Sequence, residues 1–216
     1  MLTCKNEHVK RLYESKTARV LVLLPHSDDE VLGCGGLLYT LRMKHARIRA
    51  VYLTDGSVCE NNVPNIVCMR QEEAVSGMKY MGIDDLTFAN FEDGTLNDTT
   101  DVLSTYIENE INLFGPSLLV APQPYDHHSD HSAIGQVVCK LNRDKYPCAR
   151  IFYEVWGGIE DPNVWLILNN EVYLTLYQWC SFYQSQKKIK QYLYGSRRYR
   201  GRMKGCRFAE AYSLLE

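Results

Sequence analysis

The run of apolar residues from Arg19 to Leu24 (RVLVLL) shows no alternation with polar positions. Such a run is typical of a strand that is buried on both faces of a sheet. Similar runs recur at 48–53, 117–120 and 151–155, and stretches with helical patterning separate them. Strands that alternate with helices predict βαβ units. We therefore expect an α/β fold, a Rossmann-like three-layer sandwich with a mostly parallel sheet and helices on both faces.

The pattern weakens after residue 156. Residues 163–168 fit one late strand, and residues 172–194 favour a helix. The chain of 216 residues contains no internal repeat and no linker rich in glycine and serine. A length below about 250–300 residues suits one hydrophobic core. We therefore predict a single domain over residues 1–216.

Composition excludes several classes of protein. The formal net charge of −2 and the pI near 6.3 give no general attraction for nucleic acid. No apolar run approaches the roughly 18 residues of a membrane span, and the polar start of the chain lacks the apolar stretch of a secretory signal. Eight cysteines without a CxxC pair or an export signal indicate reduced thiols. We expect a cytoplasmic protein and leave the formation of a homo-oligomer open.

Polar side chains with catalytic or metal-binding chemistry follow the predicted strands. In open α/β sheets, ligands bind beyond the carboxyl ends of the strands. Four of the six histidines lie in these turns, whereas a solvated surface would scatter them. The clustering therefore predicts one functional site at this edge of the sheet. The residues concerned are His26, Asp28, Asp29, Glu30, Thr54, Asp55, Asp93, His127, His128, Asp130 and His131.

The spacing within these turns suits a catalytic metal site. His26 and Asp29, three residues apart on a tight turn, can reach one ion, while Asp28 points another way and can serve as a base. Histidine and carboxylate ligands suit zinc or another divalent transition metal. A third ligand would be His128 or His131, and the spacing also allows both to bind. The alternative is that the aspartates only stabilise a helix N-terminus. This interpretation is the weaker one, because it does not explain His26 or the second histidine cluster.

Several motifs together resemble those of the PIG-L/LmbE-like N-acetylglucosaminyl deacetylases. The resemblance covers roughly residues 19–212 and includes both metal-binding motifs in the order found in that family. The matching motifs are PHSDDEVLGCGG (25–36), LTDG (53–56), Arg70-x-x-Glu73, FEDGTL (91–96), HSDHSAIG (128–135) and the C-terminal RGRMKGCRFAEAY (200–212).

The resemblance implies roles for the strand-end residues. It implies that zinc is held by His26, Asp29 and His131. By the same resemblance Asp28 is the general base, and His128 stabilises the oxyanion or protonates the leaving amine.

The resemblance extends to the residues around these. It implies that Asp130 orients a histidine and that Arg70 and Asp93 contact the sugar. Ser27 stands where proline is common in the family, a departure that leaves metal binding intact. Tyr125 is near the position of a tyrosine that assists some members, but its register differs and we assign it no role.

These inferences together predict a zinc-dependent hydrolase, a metal-dependent N-deacetylase that acts on a linear amide C–N bond. Metal-activated water would remove the acetyl group from a small-molecule amino-sugar conjugate of the N-acetylglucosamine type. One alternative keeps the metal site but cleaves another amide, such as a thiol-sugar conjugate. Another is a non-catalytic metal- or sugar-binding protein, against which Asp28 speaks, because binding alone needs no spare carboxylate.

Two further features concern the substrate. Residues 187–207 hold nine of the 24 basic side chains, which favours a solvated face over a site for a phosphate-bearing substrate or an acidic partner. The loops at 57–67, 91–99 and 156–170 follow predicted strands and are expected to determine specificity.

Overall fold

The predicted strands form one sheet in the computed structural model, which describes residues 1–58 and 63–215. Residues 59–62 of the predicted specificity loop therefore lie outside the described residues, and so does residue 216. The strands are β1 (Leu2–Cys4), β2 (Arg19–Leu24), β3 (Arg47–Thr54), β4 (Asp85–Phe91), β5 (Leu118–Pro122), β6 (Ala149–Tyr153), β7 (Val164–Leu168) and β8 (Phe208–Leu215). The helices are α1 (Glu7–Glu14), α2 (Asp29–Met43), α3 (Ile66–Tyr80), α4 (Thr100–Phe114), α5 (Ser129–Lys140), α6 (Asn170–Trp179) and α7 (Ile189–Met203).

The sheet is parallel through its centre. Its strand order is β1-β7-β8-β6-β5-β2-β3-β4, and the five strands from β6 to β4 pair in parallel. β8 pairs antiparallel with both β6 and β7, and β1 pairs antiparallel with β7. The carboxyl ends of the parallel strands consequently share one edge, where β2 lies between β5 and β3.

Both faces of the sheet are covered by helices. In β2, Val20, Val22 and Leu24 belong to one buried cluster, while Leu21 and Leu23 belong to the other. Side chains of α2, α3 and α6 complete the first cluster, and side chains of α4 and α5 complete the second. This arrangement explains the unbroken apolar run in the sequence. The predicted α/β three-layer sandwich is confirmed, whereas the single domain over residues 1–216 stays a prediction.

Helix α2 is interrupted and is held in place by a residue from β8. Cys34 has a φ of −140°, outside the helical region. The carboxylate of Glu210 accepts hydrogen bonds from the backbone N–H groups of Gly36 (2.8 Å) and Leu37 (3.0 Å), which follow the interruption. Arg197 lies 2.7 Å from the same carboxylate and offsets its buried charge. The C-terminal strand is therefore part of the support for the helix that starts at the site.

The C-terminal part of the chain differs from the sequence prediction. The helix expected over 172–194 is wrong: α6 ends at Trp179, a 3₁₀ turn follows, and α7 begins only at Ile189. The side chains of Trp179 and Tyr183 are buried at this break, so tertiary packing outweighs local helical preference there. No helix in the described part of the chain combines the length and the apolar character needed to cross a membrane.

The basic segment is only partly solvated, which corrects the sequence interpretation. Arg197 and Arg200 of α7 are buried and pair with Glu210 and Glu154, respectively. These arginines attach α7 to the sheet. The lysines of the segment are exposed or half-buried and do not share this role.

Candidate metal centre

The polar residues predicted from the strand ends meet in one place. His26 and Asp28 follow β2, Asp93 follows β4, and His128 and His131 lie at the start of α5 after β5. Ring nitrogens of all three histidines lie within 4.8 Å of one another. The parallel sheet brings them together because β2 and β5 are neighbours that end at the same edge.

Asp29 lies between two of the histidines. Its Oδ2 is 3.3 Å from Nδ1 of His26 and 3.2 Å from Nε2 of His131, and it accepts a hydrogen bond from the backbone N–H of His26 at 2.9 Å. Burial would raise the pKa of Asp29, but the neighbouring His131 and His26 outweigh burial and hold the pKa well below its usual range. Asp29 is therefore an ionised, oriented carboxylate between two imidazoles.

His131 provides the test of whether these residues fit a metal ion. Its ring is fully buried, and neither ring nitrogen has a hydrogen-bond partner among the described residues. Its Nδ1 lies 3.9 Å from Oδ2 of Asp126, and its Nε2 faces Asp29. Nε2 lies near the Asp29 carboxylate without forming a hydrogen bond, and a divalent cation bound by both groups would satisfy this buried nitrogen. The imidazole and carboxylate donors suit zinc, so the residues fit the group.

His26 is held on its other side by two carboxylates. Its Nε2 lies 3.0 Å from Oδ1 of Asp93 and 3.2 Å from Oδ2 of Asp130. Asp130 also accepts hydrogen bonds from the backbone N–H groups of Gly94 (2.8 Å) and Leu96 (3.1 Å). Burial lowers the pKa of His26, but Asp130, Asp29 and Asp93 together raise it well above its usual value. The orienting role of Asp130 stays a prediction, and His26 is the histidine that its carboxylate contacts.

His128 differs from the other two histidines. It caps the start of α5, and its Nδ1 accepts a hydrogen bond from the backbone N–H of Asp130 at 3.3 Å. Burial and the nearby His26 and His131 lower its pKa, which favours the neutral ring. A neutral imidazole that accepts at Nδ1 carries its proton on Nε2 and can donate from there. The ring centroids of His128 and His26 are only 4.7 Å apart, so a third imidazole ligand remains compatible with the geometry.

Asp28 adopts a backbone conformation that is rare for residues other than glycine. Its φ is 115°, in the left-handed region, and its side chain makes no capping hydrogen bond to α2. Its backbone N–H donates instead to Oε2 of Glu30 at 2.9 Å. Burial, followed by the charges of Asp29 and Glu30, raises the pKa of Asp28 well above its usual value. The side chain is therefore not used as a helix cap and can accept a proton.

The two predicted sugar-contacting residues lie beside this cluster. Nη1 of Arg70 donates to the backbone oxygen of Gly56 at 2.6 Å and lies 3.7 Å from Oδ2 of Asp93. Oδ2 of Asp93 also accepts a hydrogen bond from the backbone N–H of Val58 at 3.0 Å. Asp93 is buried, and each of its carboxylate oxygens contacts a protein group, His26 for Oδ1 and Val58 for Oδ2. Arg70, in contrast, borders a cavity that is described below. A sugar contact stays a prediction for both residues, with Arg70 the better placed.

Asp126 is a site residue that the sequence did not identify. Its Oδ1 accepts the backbone N–H of His128 at 3.0 Å, and its Oδ2 accepts those of Trp156 and Gly157 at 3.2 Å each. The same Oδ2 lies 3.9 Å from Nδ1 of His131. In the sequence, Asp126 resembles any aspartate in a turn. Its role depends on the hydrogen bonds that it accepts from the loop after β6, which the sequence does not reveal.

The sequence predicts Glu30 at this edge of the sheet but indicates no role for it. It is fully buried and accepts hydrogen bonds from the hydroxyls of Tyr52 (2.8 Å) and Tyr183 and from the backbone N–H of Asp28. Burial raises its pKa to about 7. Glu30 thus connects the left-handed turn at Asp28 to β3 and to the break between α6 and α7.

A cavity of about 660 Å³ opens beside Asp28. This volume lies within the range of about 300–1,000 Å³ that is common for ligand sites. Its walls come from the start of α2, from α3, from the loop after β6 and from the segment that leads into α7. The candidate metal centre therefore lies next to a cavity large enough for a small-molecule ligand.

Comparisons with known proteins place the chain among deacetylase-like sequences. A family profile described as PIG-L: GlcNAc-PI de-N-acetylase matches residues 21–142. A "Probable N-acetyl-alpha-D-glucosaminyl L-malate deacetylase 2" of Bacillus subtilis (strain 168) is 32% identical over 130 residues, which are 56% of this chain and 59% of that protein. The chain thus spans about three fifths of the length of this relative. An "Uncharacterized deacetylase YaiS" of Escherichia coli (strain K12) is 29% identical over 168 residues, 74% of this chain and 82% of that protein.

A solved structure shares the fold. The N,N'-diacetylchitobiose deacetylase from Pyrococcus horikoshii superimposes with a TM-score of 0.76 at 19% identity, covering 95% of this chain and 86% of that one. The family profile matches more than half of the chain, including both motifs of the candidate metal centre. The chain therefore belongs to the PIG-L/LmbE-like deacetylase family.

Proposed function

We propose that this protein is a zinc-dependent hydrolase that removes the N-acetyl group from an amino-sugar conjugate of the N-acetylglucosamine type. The observation that carries the proposal is the position of Asp29 Oδ2, within 3.3 Å of ring nitrogens of both His26 and His131. Membership of the deacetylase family supports it, as does a relative named for deacetylating an N-acetylglucosaminyl conjugate. The cytoplasm remains the predicted location.

His26, Asp29 and His131 would hold the zinc ion. Bound there, zinc would polarise the amide carbonyl and acidify the attacking water. Asp130 and Asp93 fix the His26 ring from its Nε2 side, and such outer partners keep a ligand oriented. The donor set is typical of catalytic rather than structural zinc sites, which keep a coordination position open.

Asp28 would take the proton from the attacking water. Its side chain makes no capping hydrogen bond, it borders the cavity, and its raised pKa brings its basicity closer to neutral pH. The left-handed backbone at Asp28 is a local strain that the hydrogen bond to Glu30 helps to maintain. Strain of this kind is common where a side chain must be aimed at a reacting group.

His128 would stabilise the oxyanion, and the proton that Asp28 takes from the attacking water would pass to the leaving amine as the C–N bond breaks. Its Nδ1 accepts a backbone N–H, so the neutral ring has its proton on Nε2. A neutral imidazole donor can bind a developing negative charge, and removal of one such donor commonly lowers kcat by about 10²–10³-fold. Arg70, on the wall of the cavity, would contact the sugar, and Asp93 would support Arg70.

The test of this function is the release of free amine from a panel of N-acetylglucosamine conjugates. We expect turnover that a chelator abolishes and that added zinc restores. The amount of metal bound per chain is measured in the same samples. If the panel yields no amine while one zinc ion is bound per chain, the deacetylase proposal is wrong, and cleavage of a different amide or simple binding takes its place.

A further inference from the structure

The cavity beside Asp28 has a wall that is not among the loops expected to determine specificity. This wall belongs to the connection between α6 and α7, residues 180–188, which contributes residues 184–188 to the lining. The connection lies outside residues 21–142, which the family profile matches. It consists of a 3₁₀ turn followed by further turns, so its position depends on contacts with other elements.

Glu73 of α3 holds this connection through Ser185. Oε1 of Glu73 accepts a hydrogen bond from the backbone N–H of Ser185 at 2.8 Å, and Oε2 accepts one from its hydroxyl at 2.6 Å. Glu73 is buried, so its carboxylate depends on these two donors rather than on solvent. A buried carboxylate that loses a donor carries a large cost in free energy, which makes this pairing a firm attachment.

One face of α3 joins the attached connection to the surroundings of the metal centre. Arg70, Glu73 and Gly77 follow one another at spacings of three and four residues and therefore share that face. Arg70 lines the cavity and lies 3.7 Å from Oδ2 of Asp93. A Cβ added to Gly77 would lie 2.7 Å from the hydroxyl oxygen of Tyr183, so the connection packs directly on the helix.

The connection has a second attachment, which acts on a different part of the site. The hydroxyl of Tyr183 donates to Glu30, whose carboxylate accepts the backbone N–H of Asp28. That attachment supports the proposed base, whereas Ser185 lies on the cavity lining. Because the two attachments use different residues, substitutions can separate their effects on catalysis and on substrate binding.

We propose that Glu73 is a positioning residue for substrate binding: through Ser185 it fixes the α6–α7 connection as the wall against which the group attached to the amino sugar packs. A wall that is ordered before the substrate arrives reduces the conformational entropy lost on binding. The proposal deepens the proposed function and rests on it, because it takes the acetamido group to lie at Asp28.

The experiment measures kcat and KM of the zinc-loaded enzyme for two neutral glycosides of N-acetylglucosamine. The attached group is a methyl group in one and a phenyl group, which extends the ligand along the cavity, in the other. We expect Ser185→Ala to raise KM for the phenyl glycoside roughly five- to tenfold, the effect of one lost hydrogen bond. The kcat should stay unchanged, because Tyr183 still supports Glu30. For the methyl glycoside, KM should change by less than about twofold.

Three further variants separate positioning from general stability. Ser185→Thr keeps the hydroxyl and should keep the KM of the unmodified enzyme. Glu73→Gln replaces one acceptor oxygen by a donor group and should raise KM for the phenyl glycoside as Ser185→Ala does. Ser117→Ala is the matched control, because Ser117 is also half-buried and its hydroxyl oxygen contacts the backbone of Arg19, at the amino ends of β5 and β2. This control should lose stability without a change in either KM.

The possible failures are distinguishable. An unchanged KM for the phenyl glycoside in Ser185→Ala overturns the positioning role while leaving the deacetylase function intact. An equal rise of KM for both glycosides, or a similar rise in Ser117→Ala, overturns it too, since either result means loosening of the whole protein. Release of no amine from either glycoside by the unmodified enzyme counts against the proposed function.

Binding then decides the positioning role without turnover. The phenyl glycoside is titrated by calorimetry into the zinc-loaded Asp28→Asn protein, with and without Ser185→Ala. Weaker binding in the double variant supports the role of Glu73, and equal or absent binding overturns it.

Discussion

Asp126 joins three parts of the site through its two carboxylate oxygens. It holds the backbone at His128, lies near the ring of His131, and fixes the backbone at Trp156 on the wall of the cavity. Glu30 acts in a similar way on Asp28, whose backbone N–H donates to its carboxylate. At the scale of single residues, buried carboxylates that are not themselves proposed ligands keep the proposed ligands and base in position.

The hydroxyl of Tyr183 offers a test of this positioning. It donates to the Glu30 carboxylate, whose other oxygen holds the backbone of Asp28. We expect Tyr183→Phe to lower kcat several-fold with zinc content and KM unchanged, because the base loses part of its support. The matched control is Tyr212→Phe, which removes an equally buried hydroxyl from Glu210.

Both Tyr→Phe variants should lose stability by about 1–2 kcal/mol, measured by chemical denaturation. Only the variant at Tyr183 should lose kcat. An equal fall of kcat in both variants would mean that the effect comes from general loosening of the protein, and the positioning role of Glu30 would then be wrong.

Prediction of single residues from the sequence was strongest where a side chain that can bind metal also lies at the end of a predicted strand. His26, Asp29 and His131 could be placed together because parallel strands end at a common edge and because their side chains are metal donors. Asp126 could not be placed there, and Glu30 was placed there without a role, since a turn aspartate and a first-turn glutamate have ordinary local explanations. The role of Asp126 depends on the loop after β6, and that of Glu30 depends on Tyr183. Both partners are distant in sequence and come close only in the folded chain.

At the scale of elements, α2 links the metal centre to the C-terminal strand. A Cβ added to Gly36 would lie 2.6 Å from Leu168 and 2.8 Å from Oε2 of Glu210. That carboxylate cannot easily move, because Arg197 and the backbone N–H groups of α2 hold it. The approach of α2 to β7 and β8 therefore requires glycine at this position.

Gly36→Ala should lower the free energy of unfolding by roughly 1–3 kcal/mol, the usual range for overpacking a filled core. Gly195→Ala on α7 is the control, since among the described residues no heavy atom outside the nearby stretch of α7 lies within 4 Å of the added methyl group. It should be neutral or stabilising by up to about 1 kcal/mol, because alanine favours helix. Urea denaturation measures both, and equal stability of the two variants would contradict the packing described for α2.

Element prediction succeeded for β2, β3, β5, β6 and β7 because each carries its own apolar signal. It failed for β8, a buried strand with Glu210 at its centre, because a charged residue interrupts the apolar run. It also joined α6 and α7 into one helix, since the break at Tyr183 is stabilised by a distant partner, Glu30. Local patterns predict elements poorly where the stabilising contact is far away in sequence.

At the scale of the whole molecule, the site concentrates negative charge in the interior. Asp29, Asp93 and Asp130 are buried within a few ångströms of His26. Burial of several carboxylates together costs stability unless positive charge is supplied. A divalent cation that binds only the folded protein should therefore stabilise the whole chain.

Zinc should raise the melting temperature of the chelator-treated protein. At a free concentration 100 times the Kd, linkage predicts about 2.7 kcal/mol, or about 5–10 °C for a chain of this size. His131→Ala should abolish the shift, whereas His127→Ala should keep it, because His127 is exposed and outside the cluster. Calorimetry measures the shift, and an undiminished effect in His131→Ala would exclude His131 as a ligand.

The central claim is that Asp28 acts on the substrate while its neighbours hold zinc. It is tested most directly by Asp28→Asn, with zinc content and amine release measured on the same sample. The account predicts one zinc ion per chain, as in the unmodified protein, and a fall in kcat of about 10²–10⁴-fold, the usual contribution of a general base. A variant that retains both its zinc and its full turnover would contradict the account.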